Sequence, residues 1–481
     1  ERLFAQCPPE TAPLIYLEPG TWPTRSTGII DNYSLIQKGI GTVVPNYRKV
    51  LEQGVSGIVR EIDERLASID RADPTTPQRV LFLESARLAL LGLVEFAGRY
   101  AHRALELAQV ETNEARRAEL HRIHQVCSRV PQYPARDFHE AVQSFWFTHV
   151  AIRIEESGHS LSPGRFDQYM FPYLGELNRD AALELVECLF VKFSELMLFV
   201  NVDTSKFYTG VPQWQNLNLG GRTPDGKDAT NRVSHLCLEA MIDLKVVQPD
   251  ISVRVHPDTP EDFLLKACEL SRLGTGHPKF YNEDLIAYSM ACKGLSIRES
   301  RDFAIMGCVE PRVQAKEGIH LTGGFINLPV ALELALNNGV WRRTGKRVGL
   351  PTGDARTFST FEEVRRAFEA QLAHVIRHMF VVNAIAETAY SELLCSPFLS
   401  SLTEGCIESG RPLQKGGAIY NFGPAVNEIG IADTGDSLAA IKRLVFDEKR
   451  LTMERLVDAL NHNFDGFEDV RLRLPSERYA L

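Results

Sequence analysis

The chain of 481 residues has no Cys-x-x-Cys pair, no excess of basic charge and no long apolar run. Its nine cysteines are scattered singly, which disfavours zinc ribbons, thioredoxin-like redox pairs and iron–sulfur spacings. The odd count, with no charged and apolar leader at Glu1-Arg2-Leu3, favours reduced thiols in the cytoplasm. No stretch nears the ~18 apolar residues that span a bilayer, and Leu88–Val94 is interrupted early. Acidic residues outnumber basic ones, 62 to 53, for a net charge of −9, so neither nucleic acid nor a membrane surface is an expected partner. Gly39-Ile40-Gly41 lacks the third glycine and preceding strand of a dinucleotide fingerprint and reads as a turn. His121 and His124 sit on a charged helix with no third ligand following, so no metal is expected there. Repeats, low-complexity segments and an initiating Met are also missing, and on the last count a preceding N-terminal piece is an expectation.

What is present is ordinary for a globular chain: 44% hydrophobic and 24% charged residues, enough for a large core. The first 45 residues, rich in Pro, Gly and Thr, read as irregular wrapping chain. From Asn46 to Val130 the pattern is helical, with Val55, Ile58, Val59, Ile62 and Leu66 at three- and four-residue spacing. Further helices are expected at Asp137–Ile154, Ala181–Val200, Asn231–Leu244, Pro260–Leu273, Asp284–Lys293, Phe361–Leu394, Asp436–Phe446 and Thr452–Asn463. Asp250–His256, Lys279–Asn282 and Phe303–Met306 read as strands, Ala418–Phe422 as extended chain, and Arg222–Lys227 as a turn. Helices alternating with short buried strands suggest a mainly parallel sheet wrapped by helices, in one large domain.

The stretch Phe303-Ala304-Ile305-Met306-Gly307-Cys308-Val309-Glu310-Pro311 carries the most chemistry. In extended chain, residues i and i+2 share a side, so Cys308 and Glu310 would face one pocket. A buried structural cysteine beside a solvated Glu competes on equal terms from spacing alone. If the pair is functional, a carboxylate disfavours a thiolate, so Cys308 is a poor ionic nucleophile, and no basic partner lies near it in sequence. A neutral thiol beside a base suits hydrogen-atom chemistry, in which sulfur takes a C–H hydrogen and the carboxylate an O–H or N–H proton. Such a site is expected to be enclosed.

Seven blocks then resemble, in order, the glycyl radical enzymes of the pyruvate formate-lyase superfamily, in the dehydratase and lyase branches. They are Gly158–Ser160 with Pro163–Met170, Gln215–Gly221, Gly276–Asn282, Gly307–Pro311, Leu334–Gly339, Gly416–Asn421 and Asp436–Lys442, within about Ile40 to Asp465. The resemblance implies an α/β fold: a ten-stranded barrel, with the wrapping and helical part at about 1–135 and the barrel and Cys loop at about 136–481. Cys308 would become the thiyl radical and Glu310 the general base. The family's glycyl radical sits in a C-terminal Arg-Val-x-Gly-Tyr-like segment. It is installed by an S-adenosylmethionine-dependent iron–sulfur activating enzyme, and members often form homodimers. No such motif occurs here, so the chain is expected to be a fragment or one part of a split enzyme.

Departures from the family bear on substrate. Small-diol dehydratases carry a His in the stretch where Thr42 stands and an Asp where Thr322 stands. Hydroxyproline dehydratases carry a Tyr where Gly324 lies, so Gly324 is expected to enlarge the pocket. A Gly precedes Cys308 and a Val follows it, which argues against acetyl transfer to coenzyme A. Ser157 could bond substrate or cap a helix end. Arg165 and Asp167 read as a structural ion pair, His159 as a core histidine, and Trp214, Phe280 and Tyr281 as core or as pocket lining for a ring. The leading expectation is a radical lyase or dehydratase cleaving a C–O or C–N bond of a small hydroxylated or amino substrate. A decarboxylase or other C–C lyase of arylacetates, an inactive barrel subunit and a cysteine hydrolase are the alternatives.

Overall fold

The computed structural model describes residues 8–15, 28–31, 42–156, 158–197, 213–318, 322–423 and 425–476. The chain forms two compact units, one of residues 37–320 with 390–423, the other of residues 1–36, 321–389 and 424–481.

In the larger unit the helical periodicity of the N-terminal part becomes Tyr47–Ser68, Thr76–Val110, Glu114–Cys127 and Phe138–Glu155. Val55, Ile58 and Ile62 are buried in the core as their spacing requires. The first helix is broken at Gly54 (φ 65°), where a Cβ would lie 2.5 Å from the Gln132 carbonyl oxygen. The freed amides of Val55 and Ser56 donate to the carbonyls of Pro131 and Gln132.

Five short strands of this unit run parallel: β1 (Thr42–Val43), β2 (Ser160–Leu161), β3 (Asn216–Gly220), β4 (Asp250–Val255) and β5 (Lys279–Asn282). β2 is tied to β3 by bridges at Ser160–Trp214 and Gly164–Leu217. Strand side chains alternate, so register decides what each face presents. Leu161, Leu217, Leu219, Ile251 and Val253 are all buried in the main hydrophobic core, under the helices. The opposite face carries Ser160, Asn216, Asn218, Asp250, Ser252, Arg254, Lys279 and Tyr281, which fall in register across neighbouring strands. Two further strands, β6 (Phe303–Met306) and β7 (Glu310–Val313), form an antiparallel hairpin.

Three polar devices hold this arrangement. Buried Arg254 meets Glu283 with two 2.7 Å bonds and donates to the carbonyls of Phe303 and Arg301, its guanidinium 3.8 Å from the centre of the Phe303 ring. Ahead of β3, Tyr47, His149 and Gln215 form a buried chain of hydrogen bonds, and burial pulls His149 down to about 3, so the ring is neutral. Glu155, at the end of its helix, accepts 2.8 Å bonds from the amides of Phe398 and Leu399; burial outweighs these and raises it to about 7.

In the smaller unit the strand Thr322–Asn327 lies between Ile30–Asp31, antiparallel, and Ala425–Ile429, parallel. Its helices include Leu328–Leu336, Ile431–Ile441 and Met453–Asn461, packed around Leu332, Val364, Ile441, Leu444 and Leu456. The expected helix Asp436–Phe446 thus begins earlier and ends in a wide turn, Lys442–Asp447. Chain 418–422, expected to be extended, is irregular in the larger unit, with one bridge between Glu317 and Tyr420. Gly416 and Gly423, both at positive φ, bend the chain on either side of it.

Glu283→Gln leaves the Arg254 charge buried without its counter-ion and should cost about 3–5 kcal/mol in urea unfolding. Breaking the exposed Arg365–Glu362 pair should cost under about 1 kcal/mol. Because the folded state holds the Glu155 proton up to about pH 7, against an ordinary 4.5, stability falls as pH rises through that window. Relative to Glu155→Gln, wild type should lose at most roughly 3 kcal/mol between these limits, read from urea midpoints across pH.

Candidate active site

The β6–β7 hairpin lies over the polar face of the parallel strands, and the turn Gly307-Cys308-Val309 forms its tip. One edge of β6 pairs with β7; the other has no strand beside it among the described residues, and Asn218 supplies a ladder partner. Its Oδ1 accepts from the Ile305 amide (2.6 Å) and its Nδ2 donates to the Ile305 carbonyl (2.8 Å). Two residues along, Asn216 donates to the Gly307 carbonyl (3.2 Å), and from β2's side Ser162 Oγ accepts from the Gly307 amide (3.1 Å).

Gly307 has φ +59°, and a Cβ there would lie 3.2 Å from Glu310 Oε2, so this position favours glycine. The same Oε2 accepts from the amides of Cys308 (3.1 Å) and Val309 (2.9 Å). The Glu310 carboxylate is thus brought onto the backbone of Cys308 by a turn whose amides converge on it, and not by the alternation of an extended chain. On the other side of the turn, Lys279 Nζ (3.2 Å) and Tyr281 Oη (3.1 Å) both donate to the Cys308 carbonyl. Burial raises the Tyr281 phenol well above its ordinary range, so it remains a donor. Lys279 is the basic group that the local sequence lacked, held at the carbonyl and 3.5 Å from Asp250 Oδ1. Enclosure is incomplete among the described residues: Cys308 is half-buried and Val309 is 53% exposed.

The remaining sequence candidates separate. Thr42 is buried and pairs in register with Ser160, whose Oγ would lie 3.6 Å from a Cβ at Gly307. Ser157 lies outside the described residues. Thr322 and Gly324 are on the central strand of the smaller unit. Gly324 is buried at φ +100°, where the register to Ala425–Ile429 shifts, so a β-bulge accounts for glycine there. His159 is buried and stacks on Trp214 at 4.2 Å, as a core histidine does. Phe280 and Tyr281 alternate to opposite faces of β5, so the expected aromatic trio does not converge.

The Arg165–Asp167 pair is corrected. Arg165 bonds Asp302 (2.8 Å) and the Arg222 carbonyl (2.8 Å), while Asp167 accepts from the Gly220 amide and Ser234 Oγ. Both residues lie at the mouth of one helix and point to different partners, which sequence proximity alone does not reveal. His124 Nδ1 bonds the Ala101 carbonyl, and among the described residues no group of three potential metal ligands gathers. No described helix is long and apolar enough to cross a membrane. Sequence reasoning assigned no role to Asn216, Asn218, Ser162 or Lys279. The available signal was Asn-Leu-Asn-Leu, an alternation that puts amides on a face with no solvent.

Residues 3–479 match the family model described as pyruvate formate lyase-like. The chain is 36% identical over 433 residues to the trans-4-hydroxy-L-proline dehydratase of Clostridioides difficile, covering 88% of this chain and 54% of that protein. It is 34% identical over 487 residues to the isethionate sulfite-lyase of Oleidesulfovibrio alaskensis, covering 99% of this chain and 58% of that one. Among solved structures, the glycerol-bound B12-independent glycerol dehydratase from Clostridium butyricum superposes with a TM-score of 0.91 at 36% identity, covering 98% of this chain and 59% of that one. The chain therefore spans little more than half the length of the relatives it matches.

Asn218→Ala orphans both backbone groups of Ile305 in a dry site and should cost roughly 2–4 kcal/mol in chemical denaturation, with faster amide exchange at Ile305. Asn216→Ala, which loses a single longer bond to the hairpin, should cost about 1 kcal/mol.

Proposed function

Because the chain belongs to the pyruvate formate lyase-like family and has that family's α/β barrel fold, we propose that it is the Cys-bearing part of a glycyl radical lyase of the dehydratase type. The observation that carries this reading is the Cys308 turn, in which one carboxylate, Glu310, closes on the amides of the cysteine and its neighbour. The substrate class is a small hydroxylated molecule with a leaving group on the adjacent carbon, as the relatives are named for hydroxyproline, isethionate and glycerol. Residues 1–481 are read as one barrel domain.

The residues fit such a radical's needs: Cys308 stands at a turn tip, and the neighbouring cation, Lys279, is bonded to its backbone carbonyl. A glycyl radical would supply the odd electron. Cys308 sulfur, as a thiyl, takes a hydrogen atom from the carbinol carbon, forming S–H and leaving a carbon radical. Glu310 accepts the hydroxyl proton, and the adjacent C–X bond breaks with both electrons leaving on X. The S–H hydrogen then returns to the product radical, which restores the thiyl. An S-adenosylmethionine-dependent iron–sulfur activase, a homodimer and an anaerobic cytoplasm complete the proposal.

Anaerobic activation of the protein as its gene encodes it should produce a carbon-centred radical by electron paramagnetic resonance. Cys308→Ala should keep that signal and lose turnover, and Glu310→Gln should slow turnover about 10²–10⁴-fold. Release of carbon dioxide from an arylacetate, with no elimination product from any hydroxylated candidate, would overturn the assignment.

A further inference from the structure

The Cys308–Val309 peptide is gripped at both ends by opposite charges. Its C=O receives the Lys279 ammonium at 3.2 Å and the Tyr281 hydroxyl at 3.1 Å, and its N–H donates to Glu310 Oε2 at 2.9 Å. The order of groups is ammonium, carbonyl, amide N–H, carboxylate, with the peptide dipole aligned between the charges. We propose that Lys279 is a positioning residue for Glu310, acting through this peptide bond. The proposal rests on the radical-lyase reading for its purpose, though not for its geometry.

Three observations support it. Lys279 and Tyr281 are two apart on β5, so the strand's alternation brings both to the face that carries the hairpin. Lys279 is itself steadied by buried Asp250, 3.5 Å away, in the adjacent strand. A flip of the Cys308–Val309 peptide would turn its carbonyl toward the Glu310 carboxylate and its N–H toward the ammonium, so the two charges together select one orientation. A cation that polarises the carbonyl also makes the N–H of the same peptide a better donor, which tightens its hold on the carboxylate. Glu310 also accepts from the Cys308 amide, so the base stays fixed relative to the Cα that bears the thiol. At a tip where Val309 is 53% exposed, packing alone does not supply this order.

The test is amide exchange at Val309 in the unactivated thiol form, by mass spectrometry, in a double-mutant cycle. Lys279→Met should speed exchange about tenfold, Lys279→Arg should restore most of the protection, and Tyr281→Phe should speed it about threefold. In a Glu310→Gln background the Lys279→Met effect should shrink to less than about threefold, because the peptide's other anchor is already weakened. Should Lys279→Met fail to fold, Lys279→Gln, which keeps a donor without the charge, should lie between wild type and the Glu310→Gln protein. In the activated protein, Lys279→Met should lower kcat about tenfold with KM within about twofold, and Lys279→Arg should recover it. Exchange unchanged by Lys279→Met, or changed by the same factor in both backgrounds, overturns the inference. If wild type shows no radical and no turnover while the exchange cycle is as expected, the lyase reading fails and the peptide clamp stands.

Discussion

Everything at the candidate site depends on a parallel sheet segment that buries both faces for different reasons. One face meets helices and is lined by Leu217, Leu219, Ile251 and Val253. The other is covered by a hairpin whose outer backbone edge must find partners, and unpaired amides and carbonyls in a dry interface would cost more than the hairpin gains from packing. Asn218 resolves this by acting as one residue of a strand, donating and accepting at Ile305. The hairpin's position, and with it the direction of its tip, is held by that side chain together with Asn216, Ser162, Arg254 and the packing of Phe303 and Ile305.

The electrostatics of the face are organised by distance from solvent. At the hairpin's base, Arg254 is fully buried, and Glu283 and two carbonyls offset its desolvation. At the tip, Lys279 is a third exposed, its charge shared between a carbonyl and Asp250. A planar, always-charged guanidinium suits the buried place with four fixed acceptor contacts. An ammonium suits the tip, where one backbone oxygen must be met from a short strand.

Much of this was legible from residue order. The helical spacing of Val55, Ile58 and Ile62, the strands at Asp250 and Phe303, and the Gly307-Cys308 turn all follow from local pattern, and local pattern decides short elements when their cores agree with it. That Glu310 turns back onto the Cys308 turn was not legible from spacing: a carboxylate two residues on can cap a turn as readily as it can share a strand face. Arg165 and Asp167 show the limit. Their partners, Asp302 and Ser234, are far away in sequence, and no spacing rule reaches them. Gly324 was read as missing bulk that enlarges the pocket, and its positive φ at the register shift gives a second, backbone reason for glycine that spacing does not show.

The doubly gripped peptide after Cys308 has a spectroscopic consequence. Two donors, one of them cationic, draw electron density toward that carbonyl oxygen and weaken its C=O stretch relative to carbonyls with one neutral donor. An isotope label placed at this single carbon would therefore give the tip an infrared band of its own, through which loop order could be followed as temperature or ligand changes.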